Sequence, residues 1–539
     1  MKFSLKSLKD RSYWEERDVK LPEFDIEAVR ERSQKNPHWV HFGPGNIFRA
    51  YICALQQDLL DQGLAEYGIV AAESFNETTA NKTPLPYELL TLQVVMKADG
   101  TLDKRVIASI SEAVYSASSE GWARMKEIFE NPGLAMVSFT ITEKGYNLET
   151  PQGDYLPYVK EDMNMDPTEG IPQGTMGQVA ALLLHRFKTI GKPITLSSFD
   201  NFSHNGEKLH ESLLEMAKAW QANGKVDADF IAYLEDQAQV STPLSVIDRI
   251  TPRPSPEVAD ILTEQGLESF ELIKTEAGGF FAPFVNVEEA QYLVIEDRFV
   301  NGRPPLEKAG VYFTNADTAD RFERMKVTTC LNPLHTAMSP YGVLLNHPTI
   351  AAGMEDAAIV KLMQRIGYTE GLPVVTDPGI IEPKDFLDEV VERRFANPYI
   401  PDTPERIMTD TSQKVGIRFG ETIKSYVASD ELDVDDLKGI PLGIAGWIRY
   451  LLAVDDQHEP YEISADPLLD ELKEAVSTIK PGEPDSLKDQ LKGILGNKSL
   501  FRSDLYEVGL GEKIEGYVRR MLEGPGSVRK TLDEETAKY

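Results

Sequence analysis

A chain of 539 residues with 41% apolar and 27% charged residues has a globular composition and is too long for one hydrophobic core, which predicts two or more domains. Its formal net charge of −31 repels nucleic acid and anionic membranes, so we expect neither as a partner, although a local basic pocket can still bind a small anion. The two cysteines, Cys53 and Cys330, exclude a disulfide scaffold and a cysteine-rich zinc site.

The first 35 residues read as an irregular arm. They are charged throughout and lack the apolar segment of a signal peptide. No run of the sequence approaches the ~18 apolar residues of a membrane span. We therefore expect a cytoplasmic protein.

A strand, a glycine turn, a helix and a second strand follow the arm. The strands are predicted at 38–43 and 67–74, and apolar residues recur with helical period over 46–63. Strand, helix and strand form a βαβ unit, which opens a doubly wound sheet.

The rest of the N-terminal part alternates strands with helical patterns. Apolar strands are predicted at 90–96, 134–142 and 193–199, and a helix at 174–188. This alternation predicts an α/β fold, a Rossmann-type doubly wound sheet with mostly parallel strands.

From about residue 315 onward helical periodicity dominates, so the second domain is predicted to be mostly α-helical. We place the boundary at "NGRPP", giving a Rossmann-type domain with the N-terminal arm at 1–305 and a helical substrate domain at 306–539. The last ~15 residues are polar and are expected to fray. Predicted helices are 316–330, 334–346, 355–366, 383–395, 418–427, 442–453 and 466–478.

Two glycines, Gly43 and Gly45, lie between the first strand and the first helix, where a dinucleotide-binding loop belongs. The first glycine allows a tight turn, and the second lets the backbone approach a pyrophosphate at the helix N-terminus. Phe48 and Arg49 stand where a third glycine is usual, so this stretch alone is weak evidence for such a loop, and an ordinary strand–turn–helix is the alternative.

Glu73 ends the second predicted strand. An acidic residue there accepts hydrogen bonds from the adenosine ribose and repels a 2′-phosphate, which favours NAD over NADP. A solvated glutamate at a strand end is the alternative interpretation.

Six stretches, taken together and in this order, resemble the polyol-specific long-chain dehydrogenases and reductases, the mannitol dehydrogenase family. The fingerprint of that family is G-x-G-x-x-x-R, so the resemblance places Gly43, Gly45, Asn46 and Arg49 in the site for NAD. The resemblance covers roughly residues 38–450. The stretches are HFGPGNIFRA (41–50), TITEKGY (140–146), SFDNFSHNG (198–206), VIDRITPRP (246–254), RFERMKVTTCLNPLHT (321–336) and RFANPYIPDTPERIMTDTSQK (394–414).

The family uses a lysine as general base, without a metal, and the matching residue here is Lys326. A lysine side chain works as a base only where burial or nearby cations lower its pKa. Glu323, three residues earlier on the same helix face, matches a glutamate implicated in proton exchange between the lysine and water. Without the resemblance, the two residues read as a solvated lysine and its surface ion-pair partner.

Asn332 and His335 follow Lys326. The resemblance implies that Asn332 donates a hydrogen bond to the reacting oxygen and that His335 contacts the substrate. The spacing here is K-x5-N-x2-H, one residue longer than the K-x4-N-x2-H of polyol dehydrogenases. Asn332 followed by Pro333 is also typical of a helix N-cap and its first residue.

The resemblance also assigns site residues to the predicted N-terminal domain. Asn201 is implied as a second amide donor to the reacting oxygen, where two donors stabilise developing negative charge, with Asn205 as the alternative. "HNG" also reads as a turn. Asp248 matches an aspartate near the nicotinamide and substrate, and its alternative interpretations are a salt bridge with Arg249 or a turn residue.

Arg406 and Lys414 match two basic residues of the substrate site, and their alternative interpretation is solvated surface charge. "TCLNPLHT" is closer to the fructuronate reductases of the family than to the "LNGSH" of its mannitol dehydrogenases. The resemblance therefore implies an NAD-dependent secondary-alcohol dehydrogenase that reduces a keto-uronate to an aldonate, D-fructuronate to D-mannonate.

Other functions stay open at this point. They are a mannitol- or arabinitol-type polyol 2-dehydrogenase, a tagaturonate reductase, and an NAD-binding sensor or epimerase without net turnover. The expected partner is a small sugar acid or polyol, and the expected assembly is a monomer or a small homo-oligomer.

Overall fold

The computed structural model describes residues 2–75, 87–274 and 280–539. The chain divides into two compact units. The N-terminal unit is Met1–Met96 with Thr101–Ala319, and the C-terminal unit is Lys97–Gly100 with Asp320–Tyr539.

Fifteen strands lie in the described part of the chain, in four sheets. They are β1 Val19–Lys20, β2 Trp39–Phe42, β3 Ile69–Glu73, β4 Thr91–Met96, β5 Leu102–Ile107, β6 Ile110–Tyr115, β7 Met136–Phe139, β8 Ile194–Ser198, β9 Val240–Ser241, β10 Ser245–Asp248, β11 Ile273–Lys274, β12 Phe280–Phe281, β13 Phe284–Glu288, β14 Tyr292–Glu296 and β15 Tyr312–Thr314.

The largest sheet has six strands in the order β6-β3-β2-β7-β8-β9, and every pairing in it is parallel. From β2 the chain adds β3 and β6 on one side of the sheet. It then adds β7, β8 and β9 on the other side of β2. The strand order therefore reverses between β2 and β7, which is the doubly wound arrangement. The predicted α/β fold class is confirmed.

Alternate residues of β2 enter cores on opposite faces of this sheet, as the two-residue period of a strand requires. Val40 and Phe42 belong to the core that includes the helix Thr175–Thr189. Trp39 packs in the other core, with the helix Cys53–Asp61. Both faces of β2 are thus covered, as in the parallel sheets of doubly wound folds, and all four of its residues are buried.

The strand predicted at 90–96 forms, but not in the parallel sheet. As β4 it pairs antiparallel with β5 and parallel with β13, in the sheet β1-β5-β4-β13. A short connection between two strands favours an antiparallel hairpin, because a parallel pairing needs a long crossover. Gly100, with φ of +84°, lies in that connection.

The expectation of an irregular N-terminal arm is wrong. The arm contains the helices Arg11–Glu15 and Ile26–Lys35, and β1 pairs with β5. The second helix begins at an N-cap, Asp25, whose carboxylate accepts the N–H of Ala28 at 3.0 Å. Its polar composition reflects a helix with one narrow buried face.

The expectation of a frayed C-terminus is also wrong. The last helix is Ser527–Thr536, and Val528 and Leu532 on it are fully buried. These residues are four apart, so they share one face of the helix. Four polar residues of the same helix, Ser527, Thr531, Glu535 and Thr536, are buried as well, so polar composition did not prevent this segment from packing.

The other α-helices of the N-terminal unit follow the predicted pattern, and short 3-10 helices lie at Ser7–Lys9, Glu143–Gly145 and Leu306–Ala309. The α-helices not yet named are Ser119–Glu130, Pro157–Asn164, Asn205–Ala222, Ala228–Glu235 and Pro256–Glu264.

The C-terminal unit is helical around a buried helix, Asn332–Leu344, which packs against Gly439–Tyr450 and Pro404–Met408. Its 3-10 helices are Leu372–Val374, Val434–Asp436 and Pro484–Ser486. The remaining α-helices are Ala316–Met325, which leads into the unit, Ile350–Gly353, Ala357–Gln364, Pro383–Glu389, Thr411–Val415, Glu421–Ala428, Leu469–Val476, Lys492–Leu495, Lys498–Phe501 and Gly511–Met521.

Five π-helical segments interrupt the α-helices of the described chain. In a π-turn the backbone bond spans five residues, so the turn holds one residue more than an α-turn, and such turns are frequent at functional sites. The segments are Phe48–Ile52, Lys326–Cys330, Arg365–Gly371, Val390–Arg394 and Gly416–Gly420.

Candidate active site

The glycine turn follows β2 at the carboxyl edge of the parallel sheet. Gly43 has φ of +94°, and a Cβ there would lie 2.2 Å from the carbonyl oxygen of Thr140, so only glycine fits. A Cβ at Gly45 would meet nothing within 4 Å. The backbone at Gly45 is therefore open to a ligand, at the start of the helix that begins at Asn46.

Arg49 of this fingerprint turns inward. Its side chain is buried, and it donates to the carbonyl oxygen of Ala282 at 3.2 Å and to Oδ1 of Asn46 at 3.0 Å. Burial lowers the pKa of Arg49 to about 10. Asn46 in turn donates to the carbonyl of Pro252 at 3.3 Å. Arg49 thus braces the first turn of the helix.

Glu73 is the last residue of β3, at the same edge of the sheet as the glycine turn. It is partly exposed, and one of its carboxylate oxygens accepts the N–H of Phe75 at 2.9 Å. This bond fixes the direction of the side chain at the strand end.

Asp200 is a site-building residue that the sequence did not single out. Its carboxylate accepts the N–H groups of Ile141 and Thr142, both at 2.9 Å, and the hydroxyl of Tyr146 at 2.7 Å. Burial raises the pKa of Asp200, while these three bonds oppose the rise. Asp200 ties the loop after β7 to the end of β8. Its place in "SFDNFSHNG", directly after a strand, was the available signal.

The alternative that gave Asn205 a substrate role is corrected. Asn205 is fully buried. Its amide nitrogen donates to the carbonyl of Asp200 and to Ser245, and its oxygen accepts the N–H of Ser245. The whole amide therefore joins two loops of the fold, and Asn201, which is exposed, remains the candidate of that motif.

Asp248 is the last residue of β10, and it is 7% exposed. It lies opposite Tyr292 of β14 in the small sheet β10-β14-β15. Asp248 is therefore a strand residue, and the turn that was its other interpretation is not observed.

The interpretation of Lys326 as a solvated helix lysine is wrong. Lys326 is 4% exposed, at the start of the π-helical segment Lys326–Cys330. Its carbonyl accepts the N–H of Leu331 at 3.1 Å, a bond across five residues. The extra residue of the K-x5-N spacing is thereby accommodated within a helix. Glu323 is half-buried on the preceding helix.

Asn332 is the first residue of the helix Asn332–Leu344, whose cap position is Leu331, so the N-cap interpretation is not met. Its half-buried side-chain amide makes no hydrogen bond to any residue that the structure describes. His335, one turn along, stacks on the ring of Phe395 with centroids 4.1 Å apart. The buried Lys326 is thus followed in sequence by Asn332, whose amide is free to bind a ligand, and by His335, whose imidazole is held by its stack on Phe395.

Arg406 and Lys414 are both held by protein groups. Arg406 donates to Asp402 through Nε at 2.5 Å and Nη2 at 2.6 Å, and its side chain is 67% exposed. The Asp402 bonds raise the pKa of Arg406. Lys414 donates to the carbonyls of Ile407, at 3.4 Å, and Thr409. Burial lowers the pKa of Lys414, and the cations Arg418 and Arg406 lower it further.

Arg418 was missed by sequence analysis. It lies four residues beyond Lys414, on the π-helical segment Gly416–Gly420, and donates through Nη1 to the hydroxyl of Thr336 at 2.7 Å. The motif considered from the sequence ended at Lys414. A cation one helical turn further along was the available signal.

Family models match both halves of the chain. A mannitol dehydrogenase Rossmann domain matches residues 37–308, and a mannitol dehydrogenase C-terminal domain matches residues 318–521. The chain belongs to the mannitol dehydrogenase family of oxidoreductases, which confirms the resemblance found in the six stretches.

Two relatives share the same description. The D-mannonate oxidoreductase of Thermotoga maritima is 50% identical over 537 residues, covering 99% of this chain and 99% of the relative. The D-mannonate oxidoreductase of Escherichia coli is 27% identical over 481 residues, covering 88% and 91%.

Solved structures match over nearly the full length. D-sorbitol dehydrogenase in substrate-free form gives a TM-score of 0.77 at 25% identity, covering 96% of this chain and 97% of that one. Mannitol 2-dehydrogenase of Pseudomonas fluorescens, in a ternary complex with NAD and D-mannitol, gives 0.69 at 25% identity and covers 100% of both chains. No helix of the described residues is long and apolar enough to cross a membrane.

Proposed function

We propose that the protein is an NAD-dependent oxidoreductase that reduces D-fructuronate to D-mannonate. The observation that carries the proposal is the 50% sequence identity to a D-mannonate oxidoreductase, over 99% of both chains. The buried lysine followed by an open amide is the chemistry that such a reaction needs.

The N-terminal unit has the features of an NAD site. Gly45 leaves the open backbone that a pyrophosphate would approach, at the start of a helix that Arg49 braces through Asn46. Glu73 would accept hydrogen bonds from the adenosine ribose, as an acidic residue at that strand end does. Bound NADH supplies the hydride that a ketone carbon accepts in the reduction.

Lys326 transfers the proton. It protonates the reacting oxygen in ketone reduction and removes that proton in alcohol oxidation, and its burial keeps water from competing for it. Glu323, half-buried on the preceding helix, exchanges that proton with water. Asn332 donates a hydrogen bond to the same oxygen, with Asn201 as the second donor, so the developing charge is stabilised.

The substrate residues follow from the same family assignment. His335, held by its stack on Phe395, contacts the substrate hydroxyls, together with Asp248. Arg406 and Lys414 supply positive charge on the substrate side. We assign cofactor binding to residues 1–305 and substrate binding to residues 306–539, in a cytoplasmic monomer or small homo-oligomer.

The test is the loss of NADH absorbance with a panel of ketoses and keto-uronates. We expect D-fructuronate to give the highest kcat/KM, above D-tagaturonate and D-fructose. A preference for D-fructose would replace the proposal with a polyol 2-dehydrogenase. Bound NAD that never exchanges, with substrate interconverted and no NADH consumed, would instead identify an epimerase.

A further inference from the structure

Arg418 is fixed to the helix that carries Asn332 and His335. Its segment, Gly416–Gly420, packs against both that helix and the π-helical segment Lys326–Cys330. Thr336, which accepts from Arg418, donates its own hydroxyl proton to the carbonyl of Asn332 at 3.0 Å. The guanidinium is therefore positioned by the same helical turn as the proposed catalytic amide.

The hydrogen-bonding capacity of Arg418 is mostly unused. A guanidinium has five N–H donors in a planar fork. Within the described residues Arg418 makes one hydrogen bond, from Nη1, and its Nε and Nη2 make none. The side chain is half-buried, and these two nitrogens are not sealed from solvent. They form the edge of the fork that binds a carboxylate through two parallel bonds.

No carboxylate within the described part of the chain compensates the charge of Arg418. Burial alone lowers its pKa to about 10, whereas Arg406 has its pKa raised by the paired Asp402. Lys414 lies within the field of both arginines and has Asp410 and Asp466 nearby. Asp466 is itself bonded to Ser412, at 2.8 Å from its N–H and 2.5 Å from its hydroxyl. Of the three cations, Arg418 is the one whose charge no described carboxylate balances.

A protein with a net charge of −31 has many acidic residues with which to pair an arginine. A partly buried cation without a counter-ion is unfavourable for folding, so its natural complement is a ligand anion. Arg406 cannot offer the same site without breaking its two bonds to Asp402. The carboxylate-binding role that the sequence suggested for Arg406 fits Arg418 better.

The distance along the helix suits a keto-uronate. Asn332 and Thr336 are one turn apart, about 6 Å along the axis at ~1.5 Å per residue. In D-fructuronate the carboxylate carbon is four bonds from the ketone carbon, which spans about 5 Å when extended, since three backbone bonds span roughly 3.5 Å. One substrate molecule can thus meet Asn332 with its ketone oxygen and Arg418 with its carboxylate.

We propose that Arg418 binds the carboxylate of the sugar acid through Nε and Nη2 and so determines the preference for a keto-uronate over a neutral ketose. Lys414 adds positive field and does not pair directly. This inference rests on the proposed function, since it names the residue that recognises the acid group of that substrate.

The test compares Arg418→Gln and Arg418→Lys with the wild type. Arg418→Gln is expected to lower kcat/KM for D-fructuronate on the order of 100-fold while changing that for D-fructose little, because only the acid loses charged hydrogen bonds. Arg418→Lys keeps the charge but loses the planar fork of donors, so its kcat/KM for D-fructuronate should lie between those of the wild type and Arg418→Gln. Arg393→Gln, at an exposed arginine of the same unit, is the matched control and should equal the wild type.

Binding without turnover separates this inference from the proposed function. Calorimetric titration of D-mannonate and of neutral D-mannitol is done with NADH present so that no reaction occurs. Arg418→Gln should bind D-mannonate more weakly than the wild type and the Arg393→Gln control do, with D-mannitol binding little changed. Equal D-mannonate binding by wild type and Arg418→Gln, or an equal loss for acid and neutral sugar, overturns the role of Arg418. A wild type that prefers D-fructose, with D-mannonate binding still dependent on Arg418, overturns only the proposed reaction.

Discussion

Arg49 and Arg418 each lie in a π-helical segment, one in each unit, and their side chains have different surroundings. Burial lowers the pKa of both Arg49 and Arg418 to about 10. Arg49 is enclosed and bonded to Ala282 and Asn46, whereas Arg418 donates once, to Thr336. Arg49 is a brace through its two bonds, although its Nε is buried without a partner among the described residues, whereas we propose that the open donors of Arg418 bind a ligand.

The same contrast holds for the regions around them. In the N-terminal unit the glycine turn offers backbone and open space, with side chains supporting it from behind. In the C-terminal unit the site is made of side chains, Lys326, Asn332 and His335, on helices packed around them. Loss of one of these side chains should remove chemistry, while loss of a supporting side chain should remove stability.

The largest expected effect is at the proton-transferring residue. Lys326→Ala should lower kcat by roughly 10²–10⁴-fold, the range for removal of a general acid or base, with NADH affinity nearly unchanged. Steady-state rates and NADH titration measure the two effects. Lys361→Ala, at an exposed lysine of the same unit, is the control. Activity retained in Lys326→Ala would show that another group transfers the proton.

The comparison between the arginines predicts that replacing Arg49 destabilises the protein and that replacing Arg418 does not. Arg49→Met should lower the free energy of unfolding by about 1–3 kcal/mol, because the carbonyl of Ala282 and the oxygen of Asn46 lose their donor in a buried place. Arg418→Met should not lower the thermal midpoint, because an unbalanced charge is removed. Thermal unfolding of both variants checks this, and equal destabilisation by the two would contradict the distinction.

The smallest expected effect concerns the choice of cofactor. Glu73→Ser removes the ribose acceptor and the charge that repels a 2′-phosphate, so NAD should bind about tenfold more weakly and the preference over NADP should narrow. Glu66→Ser, at an exposed glutamate of the same unit, serves as control. The role of Glu73 is tested by measuring the affinities of the wild type and both variants for NADH and NADPH. A wild type that already prefers NADPH is incompatible with this role of Glu73.

The sequence by itself determined the features that depend on neighbours along the chain. The strand–turn–helix at Gly43 and Gly45 is set by the φ angle of Gly43, which only glycine adopts easily, and by the buried strand before it. The helices of the C-terminal unit follow from apolar residues at helical spacing. The pairing of Asp402 with Arg406 is also local, because the two residues are four apart in the sequence, with Asp402 just before the helix Pro404–Met408.

Tertiary structure alone decided the features that depend on residues distant in sequence. Arg49 reaches the carbonyl of Ala282, more than 200 residues away, so no local pattern shows that it points inward. β4 joins a separate sheet because β13 pairs with it. Arg418 carries its charge whatever its neighbours are, but it lacks a counter-ion among the described residues only because packing places Thr336, and no described carboxylate, against it.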